Sequence, residues 1–343
     1  MSFIIRAARE SDLSHMYEMA KRTGGGFTNL PPDKKALTAK LERGAAGFAR
    51  AGDDLSDDLY VFMLENTETG QVTGTCQIFG QVGQKWPFYS YRISTHSQHS
   101  QELDRTFRAE ILNLTTDLEG SSEVGGLFLS PSERSGGHGM LLARSRYLFI
   151  RNHRSRFADK TLAELRGVID ESGGSPFWDG VAGRFFGMNF QEADQFNAIH
   201  GNQFIADLMP NHPVYIAMLP ESARHVIGIP HPTGRAAMRM LEEEGFRWEK
   251  YIDIFDGGPT MTAHTDDIRG VREAKDGEIV AIDDGLGEHK KGVKMLVARG
   301  ELADFVCTYG WIDMRDGGLA LDPDAAKLLG VDSGDSITYV ARW

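Results

Sequence analysis

The chain has 343 residues, 41% of them hydrophobic and 25% charged, with a formal net charge of -12. That composition fits a globular protein with one large or two modest cores. The acidic balance excludes a general basic footprint for nucleic acid, and no apolar run is long enough to span a bilayer as a helix.

In chain order, residues 2–8 (SFIIRAA) predict a first strand. Ser11 is placed to cap a helix carrying Leu13, Met16, Tyr17 and Ala20 at helical spacing, and Gly24, Gly25 and Gly26 then stop it. Residues 33–50 predict a second amphipathic helix through Leu37, Leu41 and Ala45. Residues 59–65 (LYVFMLE) and 71–79 (QVTGTCQIF) flank the polar turn NTETG and predict a hairpin. Strands are expected at 89–94 and 122–129, a helix from about 139 to 157, and a strand at 161–169. The order β–α–α–β–β–β–β–α–β results.

Beyond it, short helices are expected at 177–186, 202–208 and 222–227, a stronger one at 235–244, and a strand at 251–255. From about residue 266 the character changes. Short β-like runs (GEIVAID, GVKMLVA, DFVCTYGWIDM, SITYVARW) alternate with DG, GD and GG pairs, which predicts a small all-β domain. The expected division is 1–265, with an insertion around 172–230, and 266–343.

The opening MSFIIRAARE lacks the charged and apolar regions of a signal peptide. Cys76 and Cys307 lie far apart and in no C-x-x-C pattern, so they are expected to be free thiols in a reducing cytoplasm. His96 and His99 have a spacing compatible with a metal pair, but no third ligand accompanies them and no metal is expected.

The segment SERSGGHGM (132–140) follows the apolar run VGGLFL and precedes a helical pattern. Arg134, Gly136, Gly137 and Gly139 lie in or beside an R-x-x-G-x-G spacing. At a strand–helix junction, bare glycines let successive backbone N–H groups face a pyrophosphate, with the positive helix end behind them. An ordinary glycine-rich turn fits the same residues. A dinucleotide fingerprint would need G-x-G-x-x-G after the first strand, and a Walker loop would need G-K-S/T; neither is present.

The junction resembles the GCN5-related N-acyltransferase superfamily, as do the preceding hairpin and AAMRMLEEEGF (236–246). That implies an α+β fold: a mixed sheet flanked by helices, here with a small C-terminal all-β, barrel-like domain added. Longer strings are similar to the arginine N-succinyltransferase family. They are RTGGGFTNL (22–30), SSEVGGLFL (121–129), AELRGVIDESGGSPFW (163–178), ADLMPNHPVY (206–215) and YIDIFDGGPT (251–260). The resemblance covers most of residues 1–260 in order and the C-terminal region more loosely. It implies transfer of a succinyl group from succinyl-CoA, a co-substrate and not a resident cofactor, to the α-amino group of L-arginine. It also places a succinyl-CoA contact at Leu127 and a proton-donating histidine at His231, in the context VIGIPHP. The loop departs from the bulkier, more charged version of some relatives but keeps its glycines.

Acyl transfer to an amine needs a neutral attacking nitrogen, a donor for the oxyanion and a proton for the thiolate. Strand amides from Gly126 through Leu127, Phe128 and Leu129 are candidates for the thioester and its pantetheine arm, while Leu127 and Phe128 serve equally as core. A guanidinium needs anionic partners: Asp170, Glu171, Asp253 and Asp256 are candidates, each also readable as a loop acid or turn former. For the succinyl carboxylate, Arg166 and Arg184 both qualify. No nucleophilic Cys–His or Ser–His pair is evident, so direct attack in a ternary complex is expected. The alternatives are the same chemistry on ornithine or another basic amino acid, and a non-catalytic acyl-CoA-binding subunit of a hetero-oligomeric transferase. A homo- or hetero-oligomer is expected, with no nucleic-acid or membrane partner.

Overall fold

The structure, a computed structural model, describes residues 2–23, 29–193, 196, 203–209 and 212–342. The glycines expected to end the first helix lie outside the described residues. The hairpin prediction is met by β2 (Leu59–Asn66) and β3 (Gln71–Phe79), paired antiparallel from Leu59↔Phe79 to Asn66↔Gln71. On the outer edge of β2 lies β1 (Phe3–Ala7), and on that of β3 lies β6 (Ser122–Leu129). Next to β6, in parallel, comes β7 (Lys160–Glu164), followed by β10 (Pro259–His264) and β9 (Arg247–Asp253). Beyond β9 stand β4 (Ser90–Ser100), β5 (Arg105–Thr115) and the two-residue β8 (Val214–Tyr215).

Helix α1 (Leu13–Ala20) starts after a short turn, with Asp12 and not Ser11 in the cap position. The Asp12 carboxylate instead takes a two-pronged bond from the buried Arg6 guanidinium and accepts from Arg9 N–H. Helix α2 (Lys34–Ala49) is capped by Asp33, which accepts from Ala36 N–H at 2.7 Å. Its Leu37 and Leu41 pack with Leu59, Val61 and Met63. Helix α3 (His138–Asn152) is buried along most of its length behind the sheet. Phe149 on it meets Phe48, Tyr60, Phe62 and Phe305 at ring separations of 5.0–5.9 Å. Truncating such a ring to alanine costs about 3–5 kcal/mol.

The C-terminal runs form β11 (Lys275–Ile282), β12 (Val293–Arg299), β13 (Val306–Arg315), β14 (Gly318–Leu321) and β15 (Ser336–Ala341). Their order β12-β15-β11-β14-β13, with β12 also pairing β13, closes a five-stranded barrel. The barrel is joined to the main sheet, because β13 also pairs with β1 through Ile5↔Cys307 and Arg6↔Val306.

Three expectations change in detail. The strand expected at 161–169 ends at Glu164, one residue before the last bond to β10, from Leu165 N–H to Pro259 O at 3.1 Å. The strand expected at 89–94 extends to Ser100 and gains the hairpin partner β5. The C-terminal region contains a helix, Pro323–Leu329, capped by Asp322 and closed by Gly330 in the left-handed region. Cys76 and Cys307 are both buried free thiols; burial raises both, Cys76 to about 12.

Candidate active site

Strand β6 organises the site, with a bare loop at one end and a buried carboxylate at the other. At the loop end, Gly136 and Gly137 have φ of +75° and +83°, which side chains rarely tolerate. Gly137 occupies the cap position of α3, and no side chain caps the helix there. The amides of its first turn are therefore available to an anion, with the helix dipole behind them. Arg134 is exposed on the loop, and Gly139 packs against Leu129, where an added Cβ would stand 3.6 Å from that side chain.

In the middle, β6 leaves its neighbour. Its pairing with β7 is confined to Ser122↔Thr161 and Glu123↔Leu162, while its pairing with β3 continues to Leu129. The register shifts opposite Cys76, where β6 carries one extra residue, Gly126 and Leu127 together facing Cys76, with Gly126 at φ +59°. Beyond Glu123 the β7-side edge of β6 is thus open. Phe128 is buried, while Leu127 and Leu129 are half-buried against the main core.

At the other end Glu123 stands on β6, Glu164 at the end of β7, Asp253 at the end of β9, and Asp256 in the turn to β10. Glu123 and Asp256 are buried; Glu164 and Asp253 are half-buried. All four carboxyls are pushed above the usual carboxylate range, first by burial. For Glu164 the charges of Asp253, Glu123 and Asp256 add to this. Glu123 and Asp256 are each raised to about 7.

The four differ in what they already bind. Asp256 accepts from Gly167 N–H at 2.7 Å and Gly258 N–H at 2.8 Å, one bond on each oxygen. It ties the chain after β7 to the β9–β10 turn, where a Cβ on Gly258 would lie 2.0 Å from Leu165 O. One oxygen of Asp253 accepts from Phe255 and Asp256 N–H. Among the described residues, no hydrogen bond or ion pair within 4 Å engages the Glu123 or Glu164 carboxyl. The Lys40 charge, from α2, acts on Glu123; its ammonium donates to Asn29 O and is pushed down to about 7 by burial. No three His, Cys, Asp or Glu side chains among the described residues converge as metal ligands.

His231 comes close to this group through Arg166. Its backbone N–H donates to Arg166 O at 2.8 Å, and the Arg166 charge also acts on Asp256. The ring Nδ1 lies 2.7 Å from the Thr233 hydroxyl and accepts from Thr233 N–H at 3.3 Å. The donor at Thr233 fixes the tautomer of the neutral ring, with its proton on Nε2. Burial first, then the Arg166 charge, lowers the pKa of His231.

The remaining sequence candidates lie elsewhere in the structure. Asp170 is exposed and accepts from Ser172 N–H, Ser172 Oγ and Gly174 N–H, so it closes its own loop. Glu171 is exposed beside it, and Arg184 is exposed on the turn Gly183–Phe186. Sequence reading missed Glu123, Glu164 and Lys40. The one available signal was an acidic residue inside the otherwise apolar strand SSEVGGLFL.

Two model matches to known families divide the chain. Residues 3–270 match the arginine N-succinyltransferase beta subunit, and residues 279–341 match the C-terminal domain of that subunit. An arginine N-succinyltransferase from Escherichia coli is 39% identical over 98% of this chain and 97% of its own length. One from Citrobacter koseri is 43% identical over 83% of each chain. Among solved structures, arginine/ornithine succinyltransferase subunit AI from Pseudomonas aeruginosa superposes with a TM-score of 0.89 at 32% identity, covering 99% of this chain and 98% of that one. This chain belongs to the arginine N-succinyltransferase family.

Proposed function

We propose that the protein transfers the succinyl group of succinyl-CoA to the α-amino group of L-arginine, by direct attack in a ternary complex. The observation that carries this is the layout of β6: a bare glycine loop at a helix start at one end, a buried carboxylate with no hydrogen bond among the described residues at the other, and an open strand edge between them. In this reading, β6, its loop, α3 and the diverging β7 are the acyltransferase core of the GCN5-related kind, spanning residues 1–265, and 266–343 is an added barrel.

The loop amides at 136–139 and Arg134 hold the pyrophosphate. The open edge from Gly126 to Leu129 hydrogen-bonds the pantetheine arm and the thioester carbonyl, whose oxygen gains charge during attack. Glu123, Glu164 and the second oxygen of Asp253 receive the cationic acceptor. Glu123 takes a proton from the α-ammonium, the neutral nitrogen attacks the thioester carbon, and the carbon–sulfur bond breaks as the nitrogen, now part of the amide, gives up its second proton to solvent. His231, neutral and oriented by Thr233, presents Nε2–H to the leaving sulfur. Arg166, beside His231 and Asp256, is the cation placed for a substrate carboxylate.

Ornithine is a second acceptor reading, favoured by the carboxylate group itself, which attracts a compact ammonium as well as a planar guanidinium. No helix among the described residues is long and apolar enough to cross a membrane. The reading places the enzyme in the cytoplasm, as a homo- or hetero-oligomer. The test mixes purified protein with succinyl-CoA and a panel of amino acids and follows free thiol. Thiol release with arginine above all others is the expected outcome. Tight coenzyme binding with no release for any acceptor marks a non-catalytic subunit instead.

A further inference from the structure

We infer that the C-terminal barrel completes the coenzyme site: Arg342, with Lys294 beside it, contacts a phosphate of the acyl-CoA seated on the loop. This rests on the coenzyme reading above and adds to it a ligand-binding role for the second domain.

Three observations carry the inference. First, Arg342 follows β15 directly and reaches the loop, where a Cβ built on Gly137 would stand 2.7 Å from Arg342 Nη2. A cation thus lies against the same bare residue that occupies the cap position of α3. Second, the position is built. The Tyr309 hydroxyl donates to Gly137 O at 3.0 Å, and the Arg342 guanidinium lies over the Tyr309 ring at 4.8 Å. Lys294 Nζ lies 5.3 Å from the same ring and 5.9 Å from that of Trp311. Two cations are therefore held on aromatic faces and fixed to the loop through one hydroxyl.

Third, no close ion pair neutralises the two cations among the described residues. Among the described residues neither Arg342 nor Lys294 has an acidic group within 4 Å. Lys294 is lowered by burial and then by Arg342, against weaker opposing pulls from Glu288 and Asp322. Holding two like charges together is unfavourable unless an anion joins them. A phosphate carries the charge and the acceptor oxygens that a guanidinium matches.

The test is calorimetric titration of CoA and of 3′-dephospho-CoA into wild type, Arg342→Gln, Arg342→Lys and Lys294→Gln, with no acceptor present. Arg342→Gln is expected to weaken CoA binding about tenfold, Arg342→Lys less, with the unliganded Arg342→Gln protein melting no lower than wild type. A loss for CoA alone assigns the contact to the 3′-phosphate, and a loss for both ligands assigns it to the pyrophosphate. Wild-type affinity of Arg342→Gln for both ligands overturns the inference. If Arg342→Gln itself destabilises the protein, Lys294→Gln decides, and unaltered CoA binding there overturns it equally. A wild type that binds neither ligand overturns instead the coenzyme reading on which the inference stands.

Discussion

In the proposed mechanism, the two ends of β6 recognise different things by different means. The loop end is built from contiguous backbone, with glycines that remove obstruction and a helix that supplies the field. The carboxylate end is built from side chains of β6, β7, β9 and the β9–β10 turn, and its character comes from burial and mutual repulsion. Main-chain recognition tolerates change in side chains but not in backbone freedom. Charge recognition has the opposite sensitivity, so substitutions at the two ends should fail in distinguishable ways.

The largest effect is expected from Glu123→Gln: kcat with arginine falls by about 10²-fold or more, while KM for succinyl-CoA stays within about twofold. Because the Glu123 carboxyl is raised to about 7, the wild-type rate should climb as pH rises through that value, and the variant should lose this limb. Stability has the opposite slope. A carboxyl raised on folding keeps more protons in the native state, so stability falls as pH rises from the usual carboxylate range toward 7. Glu123→Gln should therefore melt higher than wild type at pH 8, by about 1–3 kcal/mol, and match it near pH 4.

Next comes Gly137→Val at the other end. Its φ of +83° and the close Arg342 leave no room for a branched side chain. KM for succinyl-CoA should rise about tenfold or more, through lost contacts worth about 1–3 kcal/mol, with KM for arginine unmoved. An equal rise in both would erase the distinction between the ends. His231→Ala should lower kcat about 10- to 100-fold, and Thr233→Val, which removes only the hydroxyl at Nδ1, by a few-fold; an alanine variant as fast as wild type removes His231 from the mechanism. The smallest effect belongs to Asp170→Asn, which keeps the loop-closing acceptor and should leave kcat/KM within about twofold. Asp253→Asn should exceed it.

Much of this was legible in the sequence, and unevenly so. The β2–β3 hairpin, β6 and the glycine loop announce themselves because their patterns are local. The β4–β5 hairpin was half missed, since much of SYRISTHSQHS is exposed and carries no apolar alternation. The helix Pro323–Leu329 did carry its signals, Asp322 and Pro323 before it and Gly330 after it; β-like runs on either side masked them. Asp253 and Asp256 were legible as acids in a marked string, but not their unequal burdens: Asp256 spends both oxygens on backbone amides. Glu123 was hidden because a lone acid in a strand acquires meaning only when β7 and β9 arrive beside it.

The seam between β1 and β13 has a consequence for how the protein is made. One edge of β1 is covered early by β2, but the other waits for Val306 and Cys307, near the far end of the chain. At ribosomal rates of about 5–20 residues per second, that edge stays uncovered for roughly 15–60 s. During that time FIIRA offers open hydrogen-bonding groups in an apolar strand, the kind that recruits a wrong partner. The barrel is thus the late-arriving guard of the first strand, and a chain truncated before residue 306 would leave the ribosome with that strand still exposed.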